Sequence, residues 1–251
     1  MFAVIAFLGA LTVALAFANT STSNSGKLET IPIKEYMVNS TTGAVVGANP
    51  EEKMDEIRIN GIWKKGFVTV SFSFDNLEYD SETRTIAHQA INGPITGYNL
   101  TGWNIVFDTM LNNSDRSLTR LVIPSYSDYA DGDTDIHVTF TNQKAAENID
   151  GSKPFAVATL TVLPDKSLDH ASIVVYDSDS LYEEGILIPV LIHELGHSLG
   201  LGHSTKLDSI MYPRVVIHND KIGGDISTCE IAALNAIYVD RQNISESLEC
   251  K

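Results

Sequence analysis

The sequence predicts a single α+β domain, and three observations carry that expectation. Short segments of alternating or β-branched hydrophobicity recur between about residues 66 and 176, separated by Asn- and Asp-rich turns. Two stretches of helical period follow, the first of them strongly apolar. The chain has 251 residues, 43% of them hydrophobic, which is ample for one well-packed core and thin for two. At 20% charged residues it is neither a disordered chain nor a multi-span membrane protein.

Residues 2–18 form an uncharged apolar run ending Ala16-Phe17-Ala18, followed by polar Asn19-Thr20-Ser21. Small residues at those two positions read as a secretory signal (1–18) cleaved before Asn19. No Lys or Arg precedes the run, and its length is near the short limit for spanning, so retention as a membrane anchor is the alternative. Either route exports the chain. Asn-x-Ser/Thr triplets at Asn19, Asn39, Asn99, Asn112 and Asn243 agree with export without establishing it. The formal net charge of -15 falls wholly outside residues 1–18 and repels nucleic acid and anionic lipid. No nucleic acid is expected as a partner, nor any membrane unless 2–18 is retained, and the expected state is a monomer.

Residues 19–56, rich in Ser, Thr and Asn without sustained periodicity, read as a linker or short pro-segment. Structure is expected from about Ile57. Val68, Val70, Phe72 and Phe74 alternate against Thr69, Ser71 and Ser73, the pattern of a half-buried strand. Trp103, Val106, Phe107, Met110 and Leu111 predict a helix over about 97–112. Ile86, Ala87, Ala90 and Ile91 suggest helix as well, with Gly93-Pro94 making one interrupted helix or two. Strands are expected at 118–124, 135–141, 155–163 and 171–176. The apolar helix ILIPVLIHELGHSLG follows, with Pro189 in its opening turn, where a missing N–H costs little. Ser227-Thr228-Cys229-Glu230 matches a capping box that starts a last helix reaching about Val239. The domain then spans 57–241, with a tail of 242–251.

The chemistry lies in His193-Glu194-Leu195-Gly196-His197-Ser198-Leu199-Gly200-Leu201-Gly202-His203. Histidines four apart on a helix share one face, and neutral imidazoles there can both reach zinc at about 2.0–2.1 Å. Gly200 ends the helix in a left-handed conformation, and the chain returns His203 to the same point. Three nitrogens and a water make the open tetrahedron of a catalytic zinc. Glu194 points about a third of a turn away from His193. It is placed to act as a general base on that water.

This stretch, with Ser209-Ile210-Met211-Tyr212-Pro213 after it, resembles the metzincin clan of zinc peptidases and, within it, the matrixin branch. The resemblance implies a twisted, mostly parallel five-stranded sheet with three helices and an active-site cleft. It also implies a methionine turn beneath the zinc, at Met211. Trp63, Trp103 and the Thr134–Val138 strand stand in a matching order, and the 155–163 strand would be the antiparallel edge that receives an extended substrate. The segment Arg214-Val215-Val216 would form a wall of the specificity pocket, without the aromatic often found near Val215. The expected activity is that of a secreted endopeptidase acting on protein or peptide. The alternatives are an inactive extracellular zinc-binding or adhesion module, which would not need Glu194, and an envelope protein tethered by 2–18.

Three departures matter. The strands before the active helix lack histidines for a second zinc, and His137 and His170 stand alone, so one zinc is expected. No cysteine precedes Cys229, so latency through a pro-segment thiol is absent. Cys229 and Cys250 are expected to pair in an oxidising compartment, free thiols being the alternative. Asp128, Asp131, Asp133 and Asp135, then Asp177 and Asp179, offer oxygen-rich loops that suit calcium or simply solvated acidic turns.

Overall fold

The computed structural model describes residues 29–34, 36–37, 55–95, 100–111, 120–122, 134–147, 153–215, 217–218, 221–222, 224–239 and 247–250. The apolar segment 2–18, four of the five Asn-x-Ser/Thr asparagines with much of the sequence around them, and Asp128, Asp131 and Asp133 lie outside these. No helix among the described residues is long and apolar enough to cross a membrane.

Strands β1 (Glu29–Lys34), β2 (Tyr36–Met37), β3 (Asp55–Ile59) and β4 (Phe67–Asp75) lead into helix α1 (Asp80–Asn92). A small hairpin of β5 (Pro94–Ile95) and β6 (Leu100–Thr101) precedes α2 (Trp103–Leu111). Then come β7 (Arg120–Val122), β8 (Ile136–Thr141), β9 (Ala156–Val162), β10 (Leu168–Val175), α3 (Ser178–Glu183) and α4 (Leu187–Ser198). The chain ends through β11 (Leu201–Ser204), β12 (Arg214–Val215), β13 (Ile217–His218), β14 (Lys221–Ile222), α5 (Thr228–Leu234), a π-helical turn (Asn235–Val239) and β15 (Ser247–Cys250).

The main sheet runs β7-β4-β8-β10-β9, parallel except for β9, as the resemblance implies. A sixth strand, β1, lies on the outer side of β9. The register puts Val70, Phe72 and Phe74 beside Ile136, Val138 and Phe140, and these beside Ala171, Ile173 and Val175 on one face. The period-2 pattern read from the sequence is therefore the buried face. Phe72 and Phe74 sit at its margin, half-buried, with Phe74 stacked on Phe140 at 5.2 Å. The opposite face carries Ser71, Ser73, His137 and Thr139, joined by hydroxyl and ring hydrogen bonds. On β9 the buried positions 156 and 158 are alanines, which lets α4 pack directly against that strand.

Five α-helices appear among the described residues where three were expected. Gly93-Pro94 separates α1 from α2 outright, and the predicted 97–112 helix begins only at Trp103 because Leu100–Thr101 pairs with β5. The six-residue α3 is too short to show a period. Helix α4 begins two residues before Pro189, which occupies its third position, still inside the first turn where no intrahelical N–H is needed. The capping box at Ser227 and Glu230 is formed on both sides.

Outside the main sheet, β3 is the centre of a three-stranded sheet with β11 on one side and β15 on the other. Cys250 on β15 is bonded to Cys229 on α5, with Cα atoms 5.3 Å apart. This ties the chain end, through β3, to the strand that carries His203. The cross-link spans 21 residues, so the chain-entropy model values it at about 3 kcal/mol. Cys250→Ser should lower the urea midpoint accordingly, and an unreduced sample should take up no alkylating reagent. A midpoint equal to wild type would mean that the bridge adds nothing to the fold.

Candidate metal centre

Helix α4 is buried along its whole length, and its apolar residues hold two imidazoles in the interior. His193 and His197 lie one turn apart, with ring centroids 4.6 Å from each other. The Nδ1 of His193 is 2.5 Å from Ile210 O, and that of His197 is 2.8 Å from Leu201 O. A carbonyl only accepts, so each Nδ1 carries the proton and each Nε2 keeps its lone pair. Those two Nε2 atoms are 2.9 Å apart. Two acceptors facing each other in a buried site repel, and a cation between them removes the conflict. Carbonyl partners on the far nitrogen are also what fixes ring orientation in metal-ligating histidines.

His203 arrives from β11, its ring centroid 4.9 Å from that of His197 and 5.6 Å from that of His193. One ligand atom from each of the three lies within 4.8 Å of the others. Glu194 is not among the convergent atoms, although it is fully buried beside His193 on the same helix. The structure thus brings together the three histidines expected as ligands and keeps the expected base next to them. The donor set of three imidazole nitrogens suits zinc with a position left open.

The return of His203 depends on the end of α4. Gly200 has φ +96°, and a Cβ there would lie 2.0 Å from Gly61 O. Any other residue is strained and also collides with backbone. The carbonyls left over at the helix end are taken by distant side chains. Trp63 Nε1 donates to Ser198 O at 2.8 Å, and the Tyr238 hydroxyl donates to Leu199 O at 2.7 Å. Burial pushes the Tyr238 phenol well above its ordinary range, outweighing the backbone N–H of Trp63, so it remains a donor.

Met211 is fully buried under the histidine helix. A Cβ on Gly196 would lie 2.4 Å from its sulfur and 3.0 Å from Trp103 Cζ2, so the middle glycine of the motif makes room for this floor. Trp103 in turn donates from Nε1 to Ile192 O at 2.9 Å. The turn itself is held from α5. Ser209 Oγ donates to buried Glu230 and accepts from Met211 N at 2.9 Å, while the other oxygen of Glu230 takes Ser227 N at 2.7 Å. The capping residue at the start of α5 therefore also anchors the methionine turn. The capping box was legible in the sequence; the link to Ser209 had no sequence signal.

The remaining candidates are occupied differently. His137 is hydrogen-bonded through both ring nitrogens, to Ser71 Oγ at 2.8 Å and Ser73 Oγ at 3.1 Å. Asp135 pairs with Lys65 at 2.5 Å and accepts from Thr69 N at 2.8 Å. Asp177 accepts from Ser180 Oγ at 2.9 Å. Asp179 accepts from Glu78 N, Tyr79 N and the Asn142 amide. Burial works against ionisation of Asp179, yet these donors hold its carboxyl below the usual range. In the described part, these aspartates already serve as acceptors for protein donors.

Gly196→Ala tests the floor. The added methyl must displace Met211 or Trp103, and overpacking of this kind costs about 1–3 kcal/mol. A lower urea midpoint and weaker retention of zinc against a chelator are expected; unchanged values for both would show that the contact is soft.

Comparison with known proteins points the same way. Residues 64–239 match the matrixin family profile. A segment of 60 residues, 24% of this chain, is 42% identical to interstitial collagenase from Oryctolagus cuniculus and covers 12% of that protein. A longer segment of 118 residues, 45% of this chain, is 26% identical to stromelysin-1 from Mus musculus and covers 24% of it. A 56-residue segment, 22% of this chain, is 36% identical to metalloendoproteinase 2-MMP from Arabidopsis thaliana and covers 14% of it. The chain thus spans under a quarter of the length of each of these relatives. The family match, in contrast, takes in well over half of the chain, sheet and histidine helix together, and the chain belongs to the matrixin family.

Proposed function

We propose that the chain is a secreted zinc endopeptidase with one zinc held by His193, His197 and His203. The observation that carries this is the convergence of two Nε2 lone pairs, each fixed by a backbone carbonyl behind it, with a third imidazole alongside. Export is supported by the apolar run at 2–18 and by the Cys229–Cys250 bridge, which suits an oxidising compartment. Bound zinc supplies Lewis acidity that acidifies a water and polarises a peptide carbonyl.

The chain's own residues do the rest. The histidines stay neutral because their Nδ1 protons are committed to Ile210 O and Leu201 O. Glu194 accepts the proton of the attacking water and passes it to the departing amide nitrogen. Its burial keeps competing water from the carboxylate, while Met211 and Trp103 prevent the helix from shifting under the load.

Glu194→Gln keeps the side chain's size but accepts no proton. It should bind zinc fully and lose peptide hydrolysis by about 10²–10⁴-fold or more. His203→Ala removes a ligand, so zinc content and activity should fall together. Near wild-type turnover by fully loaded Glu194→Gln would remove it as the base and reopen the reading of the chain as an inactive zinc-binding module. Elemental analysis after dialysis should give one zinc per chain, and two would reveal a second site.

A further inference from the structure

Strand β9 would be an open edge if β1 did not cover it. Glu29–Lys34 adds to it antiparallel, with Glu29 opposite Val162 and Lys34 opposite Val157. Tyr36 and Met37 then run parallel to Arg214 and Val215. The two partners of this one short segment are different walls of the same site. Strand β9 packs on the helix that carries His193 and His197. Arg214 follows closely on Met211, whose sulfur lies under Gly196, and on Ile210, whose carbonyl holds His193. The chain leaves one wall and joins the other between Lys34 and Tyr36.

A peptide bonded along both edges around a hydrolytic centre is held as an extended substrate is held. From this we infer that residues 29–37 are an intramolecular substrate, and that the chain's first cleavage is of itself, between Lys34 and Tyr36. The inference rests on the peptidase reading above. In that step water's oxygen bonds to the carbonyl carbon of residue 34 or 35 and the adjacent C–N bond breaks. The proton taken by Glu194 goes to the departing nitrogen. The products are a new carboxylate on the upstream piece and a new amine on the main chain.

The consequence is directional. Residues 38–54 tether the segment to β3, which gives it an effective concentration on the order of millimolar in the groove. It therefore competes with outside peptides. Cutting between Lys34 and Tyr36 severs β1 from that tether, and six residues of edge pairing no longer benefit from it. The strand dissociates and the groove opens. Pro32 lies opposite Thr159, and a ladder accepts proline only where its nitrogen faces away from the partner. Alternation then makes Ile31 and Ile33 the donors to β9.

The test uses the full chain loaded with zinc at several protein concentrations, followed by intact mass and N-terminal sequencing beside hydrolysis of a fluorogenic peptide. A new N-terminus at Glu35 or Tyr36 is expected. Its rate of appearance should not depend on protein concentration, and peptide hydrolysis should rise in step with it. Ile31→Pro/Ile33→Pro should slow the cut at least tenfold and hydrolyse the added peptide from the outset. Glu194→Gln should remain intact, which excludes a contaminating protease. If the added peptide is hydrolysed but no cut appears between residues 34 and 36, or its rate scales with concentration, the self-substrate is overturned and the peptidase stands. If nothing is hydrolysed, the peptidase reading falls, and this inference with it.

Discussion

Everything at the centre depends on one reversal of backbone between Ser198 and Leu201. Two imidazoles on a helix can approach a metal but cannot enclose it. The third comes from another element, and the distance is short enough only because Gly200 adopts a left-handed conformation against Gly61 O. The turn is not left to local preference. Trp63 and Tyr238, far away in sequence, take the carbonyls of Ser198 and Leu199, while Asn60 N donates to Gly200 O at 2.7 Å. A helix end with its orphan carbonyls satisfied by rigid buried donors has little freedom to fray.

Around that turn, the two flanks of the centre are secured by different chemistry. On one side a buried carboxylate, Glu230, gathers Ser209 and Ser227, so a charge that would be costly alone is stabilised by three donor groups. On the other, β11 is backed by β3 and β15 and cross-linked to α5. Helix α5 is common to both supports. Its first turn fixes the floor under the histidines, and its cysteine fixes the sheet that delivers His203. The centre is thereby pre-organised by elements that contribute no ligand.

How much of this could be read from residues alone follows from the range of each interaction. The histidine spacing, the glycine stop at Gly200 and the Ser227–Glu230 cap are local patterns with one physical solution, and the geometry of each is visible in a short window. Strands β4, β8, β9 and β10 are likewise legible because one face is buried and the period of two survives. What escaped has no local signature. Strand β1 is a few residues in a polar region, and it acquires order only by meeting the edge of β9. Strand β15 is drawn into the sheet by β3, and the short α3 by its place before α4. The need for glycine at 196 became plain only when Met211 and Trp103 were seen on either side of it.

The two indole hydrogen bonds have a consequence for observing the molecule. The chain has two tryptophans in all, and both donate to carbonyls of the histidine helix, Trp103 to Ile192 O and Trp63 to Ser198 O. Both rings are buried, the second within 3% of complete exclusion from solvent. Intrinsic fluorescence of this protein is therefore not an average over distant regions. Its ultraviolet emission comes from two fluorophores bolted to one element, and a red shift would signal that water had reached the helix on which the centre is built.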